Sequence, residues 1–529
     1  LRRVSVHGFL ATPHPRGEQA PVSDPACLRI PLAHYPGMNR FVLDWIEEKP
    51  EAIRFLRRGE TPAVRRSVSS ELVAALAASN RRWGLFVKEP LQQWATGNAV
   101  TLVAGQQVGF AGGPLYTLAK IASLVKMKRA LETSGKPAVA FFWLATEDHD
   151  FDEVAQLSVP VSTVDGDGVN RQLDLLSIKA TRSFESKSVV GRLPVPEALV
   201  TELLALYRLP RPAWLRDGVT FGDSFAELVA TIFGSEVILV DALLPELRQA
   251  GAPLFDRIRT EWQPIQDALR TRSRELEAAG YAGQVQPRDD GDFTLLFEID
   301  ERGDRRIMTA PRPIPAERCS TSALTRPLLQ DFVLRPDVFL GGPAEVAYYA
   351  QIAPLHGMFD VTLPRVGLRG HVLLAPKRVI KFAARHELQP EEMFGAADAV
   401  TAAREPDAVR AVQALAADAQ RDLVDKIQQI GEIALPAEHS LARAITRSIG
   451  HIEYHFQKLT ERAVKGIARK DRERWTAARE LAATLHPDGH VQDRVVAWFP
   501  FWLRDDGHLI DRLIDEIEPD TNAFKVISL

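Results

Sequence analysis

The sequence predicts an α/β protein: an open parallel sheet interrupted by two insertions, then a helical coiled-coil region. Three observations predict it. Two near-continuous apolar runs, Val100–Ala104 and Ala138–Thr146, flank a helical stretch at Pro114–Leu131. This is the strand–helix–strand unit of a parallel sheet covered on both faces. The rhythm returns at Glu236–Val240, Val338–Leu340 and Val361–Leu363. Beyond about residue 386 the apolar residues take helical spacing. From Ile445 through Ile449, Ile452, Phe456 and Leu459 to Ala463 the steps are 4, 3, 4, 3 and 4, a coiled-coil seam.

Each element has its own signal. Residues 1 to about 95 read as mainly helical, with Ser69 or Ser70 capping an amphipathic stretch to Trp83. Pro114 stands where helices accept proline, and Ser134-Gly135-Lys136-Pro137 ends that helix. Residues 155–220 lose the alternation and carry a turn-rich patch, VDGDGVN at 164–170, and a short helix at Pro196–Tyr207. A helix at Ser224–Phe233 follows, capped by Asp223, and then a long charged helix over Leu244–Ala279. Gln284–Met308 reads as hairpins, FTLLFEID and RRIM around the turn ERGD. After Val338–Leu340, Gly341-Gly342-Pro343 opens a helix to about Ile352.

Pro406–Ile433 is apolar at Val412, Leu415, Ala419, Leu423, Ile427 and Ile430; a second helix starts near Leu441, after Pro436. Two such helices joined at a proline make an antiparallel hairpin. Arg462, Lys465, Arg469, Lys470, Arg472 and Arg474 form either a solvated face or a polyanion contact. The tail, with Trp498, Phe499, Phe501 and Trp502, is expected to pack back on the core. The expected division is a core at 1–385 with insertions near 155–220 and 280–325, a helical domain at 386–486, and a closing segment at 487–529.

At 529 residues the chain exceeds one compact core. A hydrophobic content of 46% and a charged content of 25% are those of a soluble protein, and a net charge of −4 gives no basic field for nucleic acid. Two cysteines, Cys27 and Cys319, make neither a disulfide framework nor a cysteine-rich metal site. Either is a reactive thiol or a buried structural residue. No long apolar run follows the basic start, and stretches such as Ala138–Ala145 are too short to span a bilayer. A cytoplasmic protein with no membrane segment is expected.

The chemistry concentrates at consecutive strand ends, where an open α/β sheet binds ligands. Gly105, Gln106, Gln107, Gly109, Gly112 and Gly113 lie between the first strand and its helix, with Tyr116 just beyond. Glycines there permit close approach, and free N–H groups at a helix start suit a phosphate or carboxylate. Neither the dinucleotide nor the P-loop spacing is present, so the segment is either a ligand loop or a tight turn. The next strand ends in Glu147, Asp148, His149 and Asp150, with Asp152 and Glu153 following. Crowded carboxylates spread their pKa values, and His149 between two aspartates is a candidate general base. The alternative is a surface turn with a capping aspartate. Gly341-Gly342-Pro343-Ala344-Glu345 repeats the strand–glycine–helix form, with Glu345 in the first helical turn and Tyr348 one turn on.

Four segments, GQQVGFAGGPLYTLAK at 105–120, FFWLATEDHDFDEV at 141–154, RPLLQD at 326–331 and FLGGPAEVAYYAQI at 339–352, resemble the bacillithiol-biosynthesis cysteine-adding enzymes. The order of elements agrees over nearly the whole chain. The resemblance implies a Rossmann-like, nucleotidyltransferase-like core. It further implies a ligase that adds L-cysteine to glucosaminyl-malate in the last step of bacillithiol synthesis, and a homodimer through the coiled coil. Amide formation needs an activated carboxyl, so ATP or ADP is the expected cofactor; no metal is expected. The phosphates would lie on the 105–113 loop, along Gln106, Gly109 and Gly113. Glu147, Asp148 and His149, with Asp150, would bind the amine or relay a proton. Arg326, Gly341, Gly342, Glu345 and Tyr348 would form the opposite wall. The chain departs from the family pattern at Ala104, Ala344 and Tyr349, where threonine, glycine and tryptophan are usual, and Ala104 removes a hydroxyl from the expected site. The rival reading is a non-catalytic or tRNA-linked protein that scaffolds a pathway. The missing histidine-isoleucine-glycine-histidine and KMSK motifs, and the net charge, argue against a tRNA partner.

Overall fold

A five-stranded parallel sheet forms the centre of the computed structural model, which describes residues 28–57, 68–164, 171–180, 187–283, 293, 295–385, 388–394, 407–438, 441–468, 472–504 and 508–529. In chain order the strands are β1 (Leu28–Pro31), β2 (Val100–Gln106), β3 (Ala138–Leu144), β4 (Gln156–Val164), β5 (Arg171–Lys179), β6 (Ile238–Asp241) and β7 (Leu296–Ile299). They continue with β8 (Arg305–Ile307), β9 (Cys319–Thr321), β10 (Val338–Gly341), β11 (Arg365–Leu368), β12 (His371–Ala375) and β13 (Ala523–Ser528).

The central order is β11-β10-β2-β3-β6, every pairing parallel. The chain therefore runs outward from β2 through β3 to β6, then returns to the other side of β2 for β10 and β11. The direction of winding reverses between β2 and β10. A crevice opens beyond the carboxyl ends of the strands at such a reversal. Every residue of β3, and Val100–Gly105 of β2, is buried, as expected of a sheet covered on both faces.

Several expectations are corrected. The helix expected from Ser224 begins at Phe221, because the Thr220 hydroxyl accepts the Asp223 N–H (3.1 Å) and is the cap. Asp223 instead accepts from Arg82 (3.0 Å) and the Trp83 indole (2.9 Å). The long charged helix is three helices, Pro245–Ala250, Ala252–Thr260 and Trp262–Ala278. Proline lacks an N–H for the helical ladder, and Pro253 sits in the first turn of the second helix. The strand expected at Val361–Leu363 starts past Pro364, where the Arg365 N–H reaches the Asp337 carbonyl (3.0 Å). Within 155–220, β4 and β5 form an antiparallel hairpin. Gln284, the 165–170 part of the glycine-rich turn, the first 27 residues with Cys27, and the side chains of Arg469, Lys470, Arg472 and Arg474 lie outside the described residues.

The second insertion is a three-stranded antiparallel sheet, order β8-β7-β9. The ends of the described chain meet in another sheet, β1-β13-β12. Helices Asp407–Ala434 and Ala442–Ala468 pack on each other as a hairpin. The closing segment returns to the core. Trp498 is buried, and its indole N–H donates to the Gly112 carbonyl (3.1 Å). Gly112 has φ +87°, and a Cβ there would lie 2.3 Å from the Trp498 ring, so both backbone and space require glycine. Among the described residues no helix is long and apolar enough to cross a membrane.

Candidate active site

The crevice between β2 and β10 holds a cavity of about 270 Å³. A second cavity of about 160 Å³ adjoins it, and Gln106, Gln107, Tyr116, Glu153 and Arg494 line both. Each wall comes from a different stretch of chain. The end of β2 supplies Gly105, Gln106 and Gln107, and the helix Leu115–Thr133 supplies Tyr116 and Lys120. Gly342, Ala344 and Glu345 come from the start of helix Pro343–Met358, and Arg326 from the start of helix Arg326–Leu334. Arg369 and Arg494 complete the larger cavity.

Lys120 is a buried cation in the wall of the larger cavity. It is 3% exposed, which is rare for lysine unless paired. Its Nζ donates to the Gly105 carbonyl (2.8 Å) and to Gln106 Oε1 (2.6 Å), and forms an ion pair with Glu345 Oε2. Burial lowers the ammonium pKa; Glu345 opposes this, and Arg369 and Arg326 add to the lowering. Glu345 also accepts the Gly342 N–H (2.7 Å), which fixes it at the helix start. Arg326 donates to the Tyr348 hydroxyl (2.6 Å), and burial pushes that phenol up. Gln106 donates to the Tyr116 hydroxyl (2.9 Å).

Arg369 is buried and donates to Asp493 Oδ2 (2.7 Å), while its Nε has no hydrogen-bond partner among the described residues. Lys120, Arg326, Arg369 and Arg494 outnumber the carboxylates Glu153 and Glu345. The larger cavity is therefore built for an anion.

The acidic cluster is arranged differently from the expectation, and Glu147, Asp148, His149 and Asp150 line neither cavity. Glu147 is buried and fully engaged. It accepts from Arg248 (2.9 Å), the Ser320 hydroxyl (2.7 Å), and the Thr321 N–H (3.2 Å) and hydroxyl (2.8 Å). Burial would raise its carboxyl, but Arg248 and Arg305 outweigh this and lower it. Asp148 accepts from Gln107 Nε2 (2.6 Å), the His149 N–H (2.7 Å) and Arg305 (3.2 Å). Burial is again outweighed, here by the His149 side chain and Arg305, so the carboxyl lies well below its usual range. Arg305 also lies 2.8 Å from His149 Nδ1. Asp150 caps the short helix Phe151–Val154 by accepting the Glu153 N–H (3.1 Å). The cluster thus braces the wall through Gln107.

The residue of that segment that reaches both cavities is Glu153. Glu153 keeps an exposed face, yet desolvation by the cavity walls pushes its carboxyl up to about 7, Asp150 and Asp148 add repulsion, and Lys120 pulls the other way. Sequence reasoning placed Glu153 at the strand end but outside the site. It also passed over Lys120, Arg369 and Arg494. The signal for Lys120 was present: a lone cation inside LAKIASLV, an otherwise near-apolar helical stretch.

The remaining expected residues divide. Gly105, Gln106, Gln107, Tyr116, Arg326, Gly342 and Glu345 line the larger cavity, and Gly109 and Gly113 the smaller. Gly112 packs on Trp498, and a Cβ at Gly341 would meet that of Glu345 at 2.8 Å. Ala104 is fully buried in β2 and lines neither cavity, so its missing hydroxyl does not alter the site. Cys319 is buried, and burial pushes its thiol up to about 11, away from thiolate reactivity. Among the described residues no group of three or more His, Cys, Asp or Glu side chains is placed to hold a metal ion.

Two family models match the chain. The N-terminal Rossmann-like domain of bacillithiol biosynthesis BshC matches residues 42–312 and 313–370, and the C-terminal coiled-coil domain of BshC matches 372–529. A relative from Solibacter usitatus is 30% identical over 486 residues, covering 86% of this chain and 88% of its own. One from Koribacter versatilis is 28% identical over 535 residues, 92% of this chain and 97% of its own. One from Staphylococcus carnosus is 27% identical over 439 residues, 75% and 79% respectively. Each of the three is named "Putative cysteine ligase BshC".

Proposed function

The chain belongs to the BshC family of bacillithiol biosynthesis, and we propose that it is a ligase joining the carboxyl of L-cysteine to the amine of glucosaminyl-malate. The observation that carries this reading is the cationic cavity at the reversal point of the sheet, with buried Lys120 in its wall. An amide does not form from a free carboxylate at neutral pH, so the carboxyl must first become a leaving-group derivative. A nucleoside triphosphate held in the cavity would supply that activation. The donor set fits its phosphates: Lys120, Arg326, Arg369 and Arg494 line the space. The chain's residues stabilise charge and hold the reactants together. Incubation with L-cysteine, glucosaminyl-malate and ATP, read by mass for bacillithiol, tests the reading. Absence of product across nucleotides and added divalent cations would overturn it.

Glu153, on the wall shared by the two cavities, is the carboxylate available to hold a substrate ammonium group. It must be ionised to do so, and its carboxyl titrates near 7. The charged and titratable groups around it are Asp148 and Asp150 on its own segment, Lys120 and Tyr116 on the facing helix, and Arg494. Ionisation increases with pH, so kcat/KM rises through about pH 7 and then levels. Glu153→Gln removes this rise and lowers kcat/KM by at least about tenfold, through loss of one charge-assisted contact. A pH–rate profile of both proteins checks it.

The helical hairpin supports a homodimer. Leu415, Ile430, Ile433 and Leu459 are 59–81% exposed, and two helices alone leave this apolar surface in water. Leu415→Glu with Ile430→Glu yields a monomer by light scattering if the hairpin is the interface. An unchanged dimer mass would exclude it.

A further inference from the structure

The two cavities differ in charge as well as size. The larger holds four cations against two carboxylates. The smaller is neutral overall: its charged residues are Glu153 and Arg494, both on the shared wall, and the rest of its lining is glycine, proline, hydroxyl, amide and aliphatic. One carboxylate and one guanidinium on a single wall form the complement of a zwitterion. Gln107 lines both cavities, and its Nε2 donates to Asp148, which fixes the amide on the shared wall.

We propose that the smaller cavity is the α-amino-acid subsite: the ammonium lies against Glu153 and the carboxylate against Arg494. The assignment rests on the ligase reading for its biological ligand, and on the two-cavity geometry for its place. It orients the amino acid with its carboxyl toward the shared wall, on the side of the anion cavity where activation takes place. The side chain points away, against Leu157, Val495 and Ala497. These three residues are apolar, which suits a small uncharged side chain. The size agrees: a cavity of ~150 Å³ admits a molecule as large as benzene, and the one here is about 160 Å³. A nucleotide does not fit in it.

The test is calorimetric titration of the full chain with L-cysteine, alone and with a non-hydrolysable ATP analogue, and separately with the analogue. Gln156 lies at the exposed rim of the smaller cavity and Ser158 further in. Gln156→Trp and Ser158→Phe fill the space from these two depths, and the rim change puts no load on the core. Both are expected to weaken L-cysteine at least about tenfold, ~1.4 kcal/mol, and to leave the analogue within about twofold. L-Serine and L-alanine should bind the wild type more tightly than L-aspartate or L-phenylalanine. Unchanged L-cysteine affinity in both variants would overturn the assignment, as would no L-cysteine binding by the wild type under either condition. The two readings fail separately. Binding lost in the variants but no product from the wild type leaves the subsite and removes the ligase. Product formed with binding intact in the variants does the reverse.

Discussion

Replacing Lys120 by methionine removes ligation, with kcat/KM falling by roughly 10³ or more, the loss that follows when a preorganised charge leaves a site. The side chain is 3% exposed and holds three groups together: the Gly105 carbonyl, Gln106 Oε1 and Glu345. Its loss also leaves Glu345, a mostly buried carboxylate, without its cation. Removing one partner of a buried pair costs about 3–5 kcal/mol, so the single variant loses stability together with activity. The double variant Lys120→Met with Glu345→Gln separates the two effects. It relieves the unpaired charge, and its unfolding midpoint recovers toward wild type while activity stays lost. Recovery of activity in the double variant would show that Lys120 acts through stability alone.

Arg248→Met destabilises the protein by about 3–5 kcal/mol. Arg248 is 1% exposed and pairs with buried Glu147 at the end of β3. Glu147 in turn accepts from Ser320 and Thr321 on β9, so the pair joins the central sheet to the inserted one. A methionine fills much of the space but leaves the carboxylate uncompensated. Thermal inactivation of a chain this size is expected to be irreversible, so the measurement is the half-life at fixed temperature. Arg248→Met with Glu147→Gln should regain part of the loss. If that double variant, once folded, also ligates at near the wild-type rate, Glu147 is a brace; a dead, folded double variant would return Glu147 to the chemistry.

These two residues show where the sequence was readable. β2 and β3 were legible because a strand buried on both faces is a run of apolar residues, and the glycine loop because it interrupts such a run. The coiled-coil seam was legible from its spacing alone. The hairpin β4–β5 was not read, although Leu157, Val159 and Val161 alternate as a half-buried strand does. The turn-rich patch between its strands drew the reading toward an irregular insertion. The sheet β1-β13-β12 brings together residues as far apart as Leu28 and Val526, and no local periodicity encodes such a pairing.

The site divided in the same way. Its glycine-loop and Glu345 walls lie in motifs and were found, as was Arg326. Arg369 and Arg494 stand alone in their segments and join the site through tertiary packing. The acidic cluster was found, but its roles were not. EDHD announces ionisable groups, while Arg248 and Arg305, from distant segments, decide that Glu147 and Asp148 are paired and turned from the cavity. Among the described residues Glu153 has no ion-pair partner, and it lines both cavities.

The central claim is that this site activates the carboxyl of L-cysteine and passes it to an amine. The most direct measurement uses L-cysteine labelled with ¹⁸O in both carboxyl oxygens, with ATP and glucosaminyl-malate. Activation at the carboxyl moves one labelled oxygen into the departing phosphate or AMP for each amide formed, and the product keeps the other. Product that forms without label appearing in either phosphorus-containing species would contradict the claim.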